Sequence, residues 1–213
     1  MERMINLSDV LYFEGIEDLL LTPMTTMDDV GVMPEYDTKI ERLPILTEVA
    51  IKGNGSTLEK WASSKIFRRV SRETKHEIGL THVGFPIDLW DAIRALEAIK
   101  GATFTKTLAR EYPYWALGFI GNIENGEKMV TWYPKVQLSN VIDEKMVTAE
   151  EETQINDVTA NFVGLGLKYN SVLHSSYDTK RASAEKGDFD KFISKPIVDE
   201  KQWTELLAAG GGG

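Results

Sequence analysis

The chain of 213 residues is long enough for one large domain or two small ones, and its hydrophobic fraction of 42% allows a sizeable core. Its formal net charge of −9 argues against a general nucleic-acid binder, because phosphates require a basic surface. With no cysteine in the sequence, disulfide frameworks, thiolate catalysis and zinc–thiolate sites are excluded.

Neither a membrane span nor a leader is predicted. No apolar run reaches the length of about 18 residues that a transmembrane helix needs. The first twenty residues carry several acidic side chains, which is not typical of a signal peptide. The sequence therefore predicts a protein that is kept in a cytoplasm, or in a particle assembled there.

In chain order, the first third of the sequence predicts strands separated by irregular segments. β-branched and apolar runs favour strands, whereas clusters of Asp, Gly and Pro favour loops. The predicted segments are an N-terminal arm at 1–14, a strand at 16–24, a loop at 25–39, a strand-like segment at 40–53 and a long strand at 65–85. Together, residues 25–65 are predicted to form a long connection between subunits.

The stretch GNGSTLEKWASSK, at 53–65, ends this connection. It lacks the third glycine of a dinucleotide-binding fingerprint and the Gly-Lys-Ser/Thr of a phosphate-binding loop, so it does not indicate a nucleotide site. Ser56 and Glu59 have the spacing of a capping box, which predicts a short helix that begins there.

One clear α-helix is predicted at about 86–100. Pro86 suits a first helical position, and Asp88 and Asp91 complement the positive end of the helix dipole. Apolar residues recur every three or four positions up to Ile99, and Gly101 is a natural stop.

The second half of the sequence predicts mainly strands. Runs at 115–123 and 128–134 flank an Asn-Gly pair, which indicates a β-hairpin. Further strands are predicted at 102–110, 137–145 and 152–169, followed by a C-terminal arm at 185–207 with a short helix at DFDKFIS and a Gly-rich tail at 208–213. The predicted fold is mainly β (α+β): an antiparallel β-sandwich or barrel-like domain at 15–184 with one flanking helix.

No residue pattern indicates catalysis, a cofactor or a metal ion. His76 and His82 share a strand face but would lie about 20 Å apart, which is too far to share an ion. His174 has no evident partner in the sequence. The carboxylates are too numerous for any pair to stand out as the two acids of a glycosidase, so we predict that the chain is not an enzyme.

Charge on the long strand is more informative. Between residues 71 and 77 both faces of the predicted strand are polar, so this part does not fit inside a monomer core. It is either a hairpin arm in water or a strand that meets another subunit. An assembly that pairs such a strand would remove a free edge that is otherwise prone to aggregation.

Several segments of the sequence carry a resemblance to a known family. They are GNGSTLEKWASSKIFRRVSRETKHEIGLTHVGFP at 53–86 and the following helix, EYPYWALGFIG at 111–121, WYPKVQL at 132–138, EEETQINDVTANFVGLGLKYN at 150–170, DFDKFI at 188–193 and VDEKQW at 198–203. In these segments the sequence resembles the major tail proteins (tail tube proteins) of long-tailed, non-contractile bacteriophages of Gram-positive hosts. The resemblance covers most of the chain in order, apart from the N-terminal arm and the Gly-rich tail.

This resemblance implies a β-sandwich with a flanking helix, six copies of which form a ring whose strands join into a barrel around a channel. Stacked rings form a tube that encloses a tape-measure protein and conducts genomic DNA into the host. Tail terminator and distal tail or baseplate proteins are the further expected partners, and the expected location is the virion tail. Neither catalysis, a cofactor, sequence-specific nucleic-acid binding nor membrane binding is implied.

Two groups of residues are candidates for these roles. The inter-subunit contact candidates are Leu58, Trp61, Arg68, Arg69 and Arg72, and the lumen-facing acid candidates are Glu150, Glu151, Glu152 and Asp157. An acidic lumen would repel DNA phosphates and prevent sticking. The alternatives are the inner tube protein of a contractile tail or tailocin, and a carbohydrate-binding β-sandwich with exposed aromatic residues.

Overall fold

Nine antiparallel strands and three helices make up the part of the chain that the computed structural model describes, residues 12–62, 65–139, 157–185 and 187–209. The strands are β1 Phe13–Thr26, β2 Glu35–Tyr36, β3 Glu41–Leu43, β4 Leu46–Ala62, β5 Lys65–His82, β6 Trp115–Ile123, β7 Glu127–Leu138, β8 Val158–Leu165 and β9 Ser175–Asp178. The helices are α1 Ile87–Ile93, α2 Asp188–Ile193 and α3 Glu200–Ala209. This mainly β, sandwich-like architecture confirms the predicted fold class.

The strands are hydrogen-bonded in the order β2-β1-β6-β7-β8-β5-β4, with β3 added to β1 and β9 added to β7. Strand β7 changes partner along its length: residues 129–132 pair with β9, and 136–138 pair with β8. The change occurs around Pro134, which lacks a backbone N–H, and the register with β6 shifts at the same place. Strand β7 therefore joins the β2-β1-β6 half of the sheet to the β8-β5-β4 half.

Two apolar clusters hold the sheet in place. The first fills the space between the β1–β6 and β5–β8 parts of the sheet, with Leu19, Leu117, Leu80 and Phe162 almost fully buried. The second cluster lies between the sheet and the C-terminal helices, around Trp132. The Trp132 indole Nε1–H donates a hydrogen bond to the Phe192 carbonyl at 3.0 Å. Other members of this cluster include Leu20, Ile120, Val130, Tyr177 and Ile197.

The hairpin predicted from the Asn-Gly pair is present as β6 and β7. Asn125 and Gly126 both have positive φ angles, 69° and 77°, which these residue types tolerate best. Trp115 and Trp132 on the two strands are buried, as expected for core residues of a hairpin packed on both faces.

Helix α1 begins after Pro86, as predicted, but it ends at Ile93 rather than near residue 100. Ala95 has a φ of 52°, which breaks the helical path, and Ile99 is 63% exposed. Ile93, the last residue of α1, is buried in the first cluster. The apolar stripe of the helix therefore packs against the core over fewer residues than its periodicity predicts. The strand predicted at 102–110 is not formed.

The long connection predicted at 25–65 is wrong in its main part. Strand β4 occupies Leu46–Ala62 and pairs with β5 along almost its whole length, so Ser56 lies in a strand opposite Arg72 and does not cap a helix. The short helix predicted at DFDKFIS is confirmed as α2. Helix α3 was not predicted, and it packs Trp203 against the second cluster rather than belonging to a free arm.

Candidate assembly surface

The most prominent surface feature is a two-stranded ribbon, defined here as residues 55–62 of β4 and 65–74 of β5. Strand β5 pairs with β8 only from Lys75 to His82, whereas its pairing with β4 continues to Ala62 and Lys65. At about 3.3 Å per residue, the ribbon extends roughly 27 Å beyond the last pair with β8. It forms because two consecutive long strands satisfy each other's backbone groups without a third strand.

The described side chains of the ribbon, at 56, 57, 59, 69 and 71–74, are polar and exposed on both faces. Arg69 Nε lies 3.5 Å from Glu59 Oε1, and the Thr57 and Ser71 hydroxyls lie 3.3 Å apart across the two strands. Such cross-strand pairs each stabilise a sheet by roughly 0.2–1 kcal/mol. Local cross-strand pairs therefore help the ribbon to hold its shape.

Strand β4 is the last strand of the sheet, so its outer edge is open. Over the described residues, β4 forms strand pairs with β5 alone. An open strand of this length presents a row of unpaired N–H and C=O groups to any second chain that approaches. The outer edge of β4 is therefore suited to pairing with another strand, both within the ribbon and along the rest of β4.

The five predicted contact residues all lie on the ribbon. In the strand register Leu58 stands opposite Val70, Trp61 opposite Ile66, Arg68 opposite Lys60, Arg69 opposite Glu59 and Arg72 opposite Ser56. The side chains of Arg69 and Arg72 are exposed. The structure thus brings the five together on one projecting element, although the intra-ribbon partner of Arg69, Glu59, was not foreseen.

Of the predicted lumen acids, the structure describes Asp157, which does not lie on the ribbon. Glu150, Glu151 and Glu152 lie outside the described residues. Asp157 is exposed, and its Oδ2 accepts a hydrogen bond from the Thr47 hydroxyl at 3.2 Å, at the end of β4 farthest from the ribbon tip. Thr47 and Glu59 are twelve positions apart on β4, about 40 Å of extended strand.

The outward face of β4, β5 and β8 carries charges of both signs. Lys52 stands opposite Glu77 in the register, and the Lys75 Nζ lies 3.6 Å from Glu77 Oε1. Asn161 on β8 borders the same shallow depression of about 420 Å³. The opposite face of these strands packs Ile78 and Leu80 into the core. This face is therefore wet and nearly charge-balanced rather than strongly acidic.

A cluster of polar rings, which sequence reasoning missed, lies where the ribbon joins the sheet. The His76 Nδ1 is 2.9 Å from the Tyr133 hydroxyl, and the His76 and His174 ring centroids are 5.8 Å apart. Burial, followed by the negative charge of Glu73, raises the pKa of Tyr133 to about 12. Burial and the neighbouring His76 lower the pKa of His174. No periodicity links positions 76, 133 and 174, so only the fold could reveal this cluster.

A buried ion pair anchors the loop that follows β1. The Lys135 Nζ binds Asp28 Oδ1, and Asp28 Oδ2 accepts a hydrogen bond from the Lys168 backbone N–H. Both charged side chains are almost completely buried, so each requires the other to offset the loss of water. Burial and the nearby Asp28 raise the pKa of Tyr36, whose hydroxyl donates to the Pro134 carbonyl at 2.8 Å.

Comparison with known proteins identifies no relative: no protein-family model matches the chain, and no curated protein is significantly similar to it. Across the described ranges, no helix has the length and apolar character needed to cross a membrane. In the same part of the chain, no three His, Asp or Glu side chains are grouped so that they could hold a metal ion.

Proposed function

We propose that this chain is the structural subunit of a phage tail tube, in which hexameric rings stack into a hollow tube. The tube would enclose a tape-measure protein during assembly and conduct genomic DNA into the host during infection. Tail terminator and distal tail or baseplate proteins would bind its two ends. In this role the chain has no catalytic activity and requires no cofactor.

The observation that carries the proposal is the ribbon together with the open edge of β4. A closed barrel built from several subunits requires strands that reach beyond their own domain and pair with a neighbour. The ribbon reaches roughly 27 Å past the β8 pairing, and its described side chains, which are polar and exposed on both faces, suit a wall with water on each side. A monomeric protein would have no use for an edge of this length and would be exposed to aggregation through it.

The carbohydrate-binding alternative is weaker because three large aromatic residues of the β6–β7 hairpin are not at the surface. Such a module needs flat aromatic rings that a sugar can stack against. Trp115, Trp132 and Tyr133 are buried in the sheet, with at most 5% of their surface exposed. The inner tube of a contractile tail uses the same kind of assembly and remains the nearest alternative.

Negative-stain electron microscopy of the purified full-length protein tests the proposal. Hollow tubes or six-fold rings at high protein concentration are the expected result. A protein that stays monomeric at every concentration, as measured by sedimentation velocity, and also when mixed with tape-measure and terminator proteins, would contradict the proposal.

A charge-swap series tests whether the ribbon is the assembling element. Arg69→Glu places two carboxylates opposite each other, so we expect this variant to assemble poorly. The double variant Glu59→Arg/Arg69→Glu restores opposite charges and should recover assembly. Tubes from Arg69→Glu that are as abundant as those of the wild type would show that the shape of the ribbon does not matter for assembly.

A further inference from the structure

The joint between the ribbon and the sheet is built from titratable rings, a feature that the proposed function does not use. Among the β5 side chains that the structure describes, His76 is the first to be buried, counted from the ribbon, and it lies next to the last pair between β5 and β8. Tyr133 from β7 and His174 from the loop before β9 complete the group, with ring centroids 5.7 and 5.8 Å from that of His76.

Glycines on both neighbouring strands make room for these rings. Gly53 on β4 and Gly164 on β8 stand directly opposite His76 in the strand register. A Cβ at Gly53 would lie 3.5 Å from His76 Nε2, and a Cβ at Gly164 would lie 2.9 Å from the Tyr133 ring. The ring cluster is therefore the packing contact that sets how the two-stranded ribbon leaves the wider sheet.

The cluster is arranged for neutral imidazoles. The Tyr133 hydroxyl is 2.9 Å from His76 Nδ1, and His76 Nε2 is buried without a hydrogen-bond partner among the described residues. The nearest carboxylate oxygen, Glu73 Oε2, is 3.7 Å from that nitrogen on a largely exposed side chain. A proton on His76 would therefore create a buried cation next to His174, and a proton on His174 would place a second like charge beside it.

The surrounding charges do little to neutralise such a pair. On β5, Glu73 faces His76, while Lys75 and Glu77 flank it and pair with each other at 3.6 Å. Opposite His76, β4 and β8 contribute glycines. The titratable group that β7 contributes is the neutral phenol of Tyr133. Lys52 on β4 stands opposite Glu77. Glu73 is thus the one carboxylate in direct reach within the described residues, against two imidazolium charges.

We propose that His76 and His174 form a pH-sensitive joint, which holds the ribbon in one orientation while both imidazoles are neutral and releases it when they are protonated. When both imidazoles carry a proton, like-charge repulsion separates the rings and draws the Glu73 side chain inward. Because the ribbon is a lever of roughly 27 Å, a rotation of about 10° at its root moves its tip by about 5 Å.

Double electron–electron resonance on the full chain tests this inference directly, because the absence of native cysteine allows two specific spin labels. One label is placed at Glu59→Cys on the ribbon and the other at Thr159→Cys on the sheet, both at exposed positions. We expect a narrow distance distribution at pH 8. Between pH 6.5 and 5 we expect the mean distance to shift by about 3 Å, or the distribution to broaden by that amount, as the lever length predicts.

The variant His76→Asn/His174→Gln removes both titrations and should keep the distribution at its pH 8 position throughout. His82→Asn removes a histidine outside the cluster and serves as the matched control, with folding of both variants checked by circular dichroism. Proton NMR of the three histidines in the unmutated chain gives their titration midpoints without any substitution.

The inference is overturned if the distance distribution is the same at pH 8 and pH 5, whether or not NMR shows His76 and His174 to be protonated. It is equally overturned if the double variant keeps the wild-type pH response. These measurements concern the isolated chain, so their failure is distinguishable from a failure to form tubes.

Discussion

Replacing ribbon residues 55–74 with Asn-Gly would remove the ribbon and leave the rest of the sheet intact. Asn54 and Lys75 stand opposite each other in the register, so a two-residue turn can join them, and Asn-Gly is the preferred sequence for such a turn. Among the ribbon side chains that the structure describes, none belongs to either apolar cluster. The free energy of unfolding should therefore change by less than about 1 kcal/mol, and the melting temperature by less than about 4 °C.

Assembly should respond much more strongly than folding. If the open edge of β4 at 55–62 pairs with a neighbour, alternate residues supply about eight hydrogen bonds. At about 0.5 kcal/mol net for each bond, the loss weakens each contact by about 4 kcal/mol, a factor of about 10³ in the association constant. Tubes should therefore be absent at concentrations where the wild type forms them.

Circular dichroism, thermal melting and negative-stain microscopy, performed on the same preparation, separate the two effects. The swapped variant Glu59→Arg/Arg69→Glu is the matched control, because it changes ribbon sequence while keeping the ribbon. A deletion variant that melts like the wild type and still forms tubes at the wild-type concentration would refute the reasoning. A deletion variant that unfolds would show instead that the ribbon contributes to the core.

Three further changes have defined expected outcomes. Trp61→Ala should leave a folded subunit that polymerises poorly in a light-scattering assay; tubes formed at the wild-type rate would assign Trp61 to local packing. Gly118→Ala should lower the free energy of unfolding by about 1–3 kcal/mol in urea, because the added Cβ would lie 2.8 Å from the buried Trp132 ring. The control Gly15→Ala, whose Cβ would have nothing within 4 Å, should change it by less than about 0.5 kcal/mol. Burial lowers the pKa of His82, so the folded state favours the neutral imidazole. The free energy of unfolding should therefore be highest above about pH 6.5 and fall as the pH drops through the folded-state pKa. His82→Leu should reduce the slope of unfolding free energy against pH in unfolding curves measured from about pH 8 to 5. An unchanged slope in that variant would contradict the assignment.

Local sequence signals determined several elements because the physical cause lies within a few residues. The Asn-Gly pair predicts the β6–β7 hairpin, since both residues tolerate the positive φ angles that the turn requires. Pro86 predicts where α1 begins, for it has no N–H to lose at a helix start. The polar pattern of residues 71–77 likewise predicts a strand outside the core; residues 71–74 are exposed on the ribbon, whereas His76 is buried where β5 joins the wider sheet.

Strand β4 shows why other elements could not be predicted. Its glycines and the Ser56–Glu59 spacing are local signals of a loop and a helix start, yet β5 provides a partner strand of similar length. Sixteen register pairs along these strands outweigh the local preference, because each pairing satisfies backbone groups that a loop would leave to water. The end of α1 at Ile93 has a similar cause, since burial in the first cluster ends there.

The joint at the root of the ribbon depends entirely on tertiary structure. His76, Tyr133 and His174 lie on three different elements and meet only because β5, β7 and the loop before β9 converge. Composition, periodicity and turn chemistry act over a few residues, so the sequence by itself determined strands, turns and a polar arm. Which strands pair, how far the ribbon projects and which rings meet at its base were decided by long-range packing and backbone hydrogen bonding.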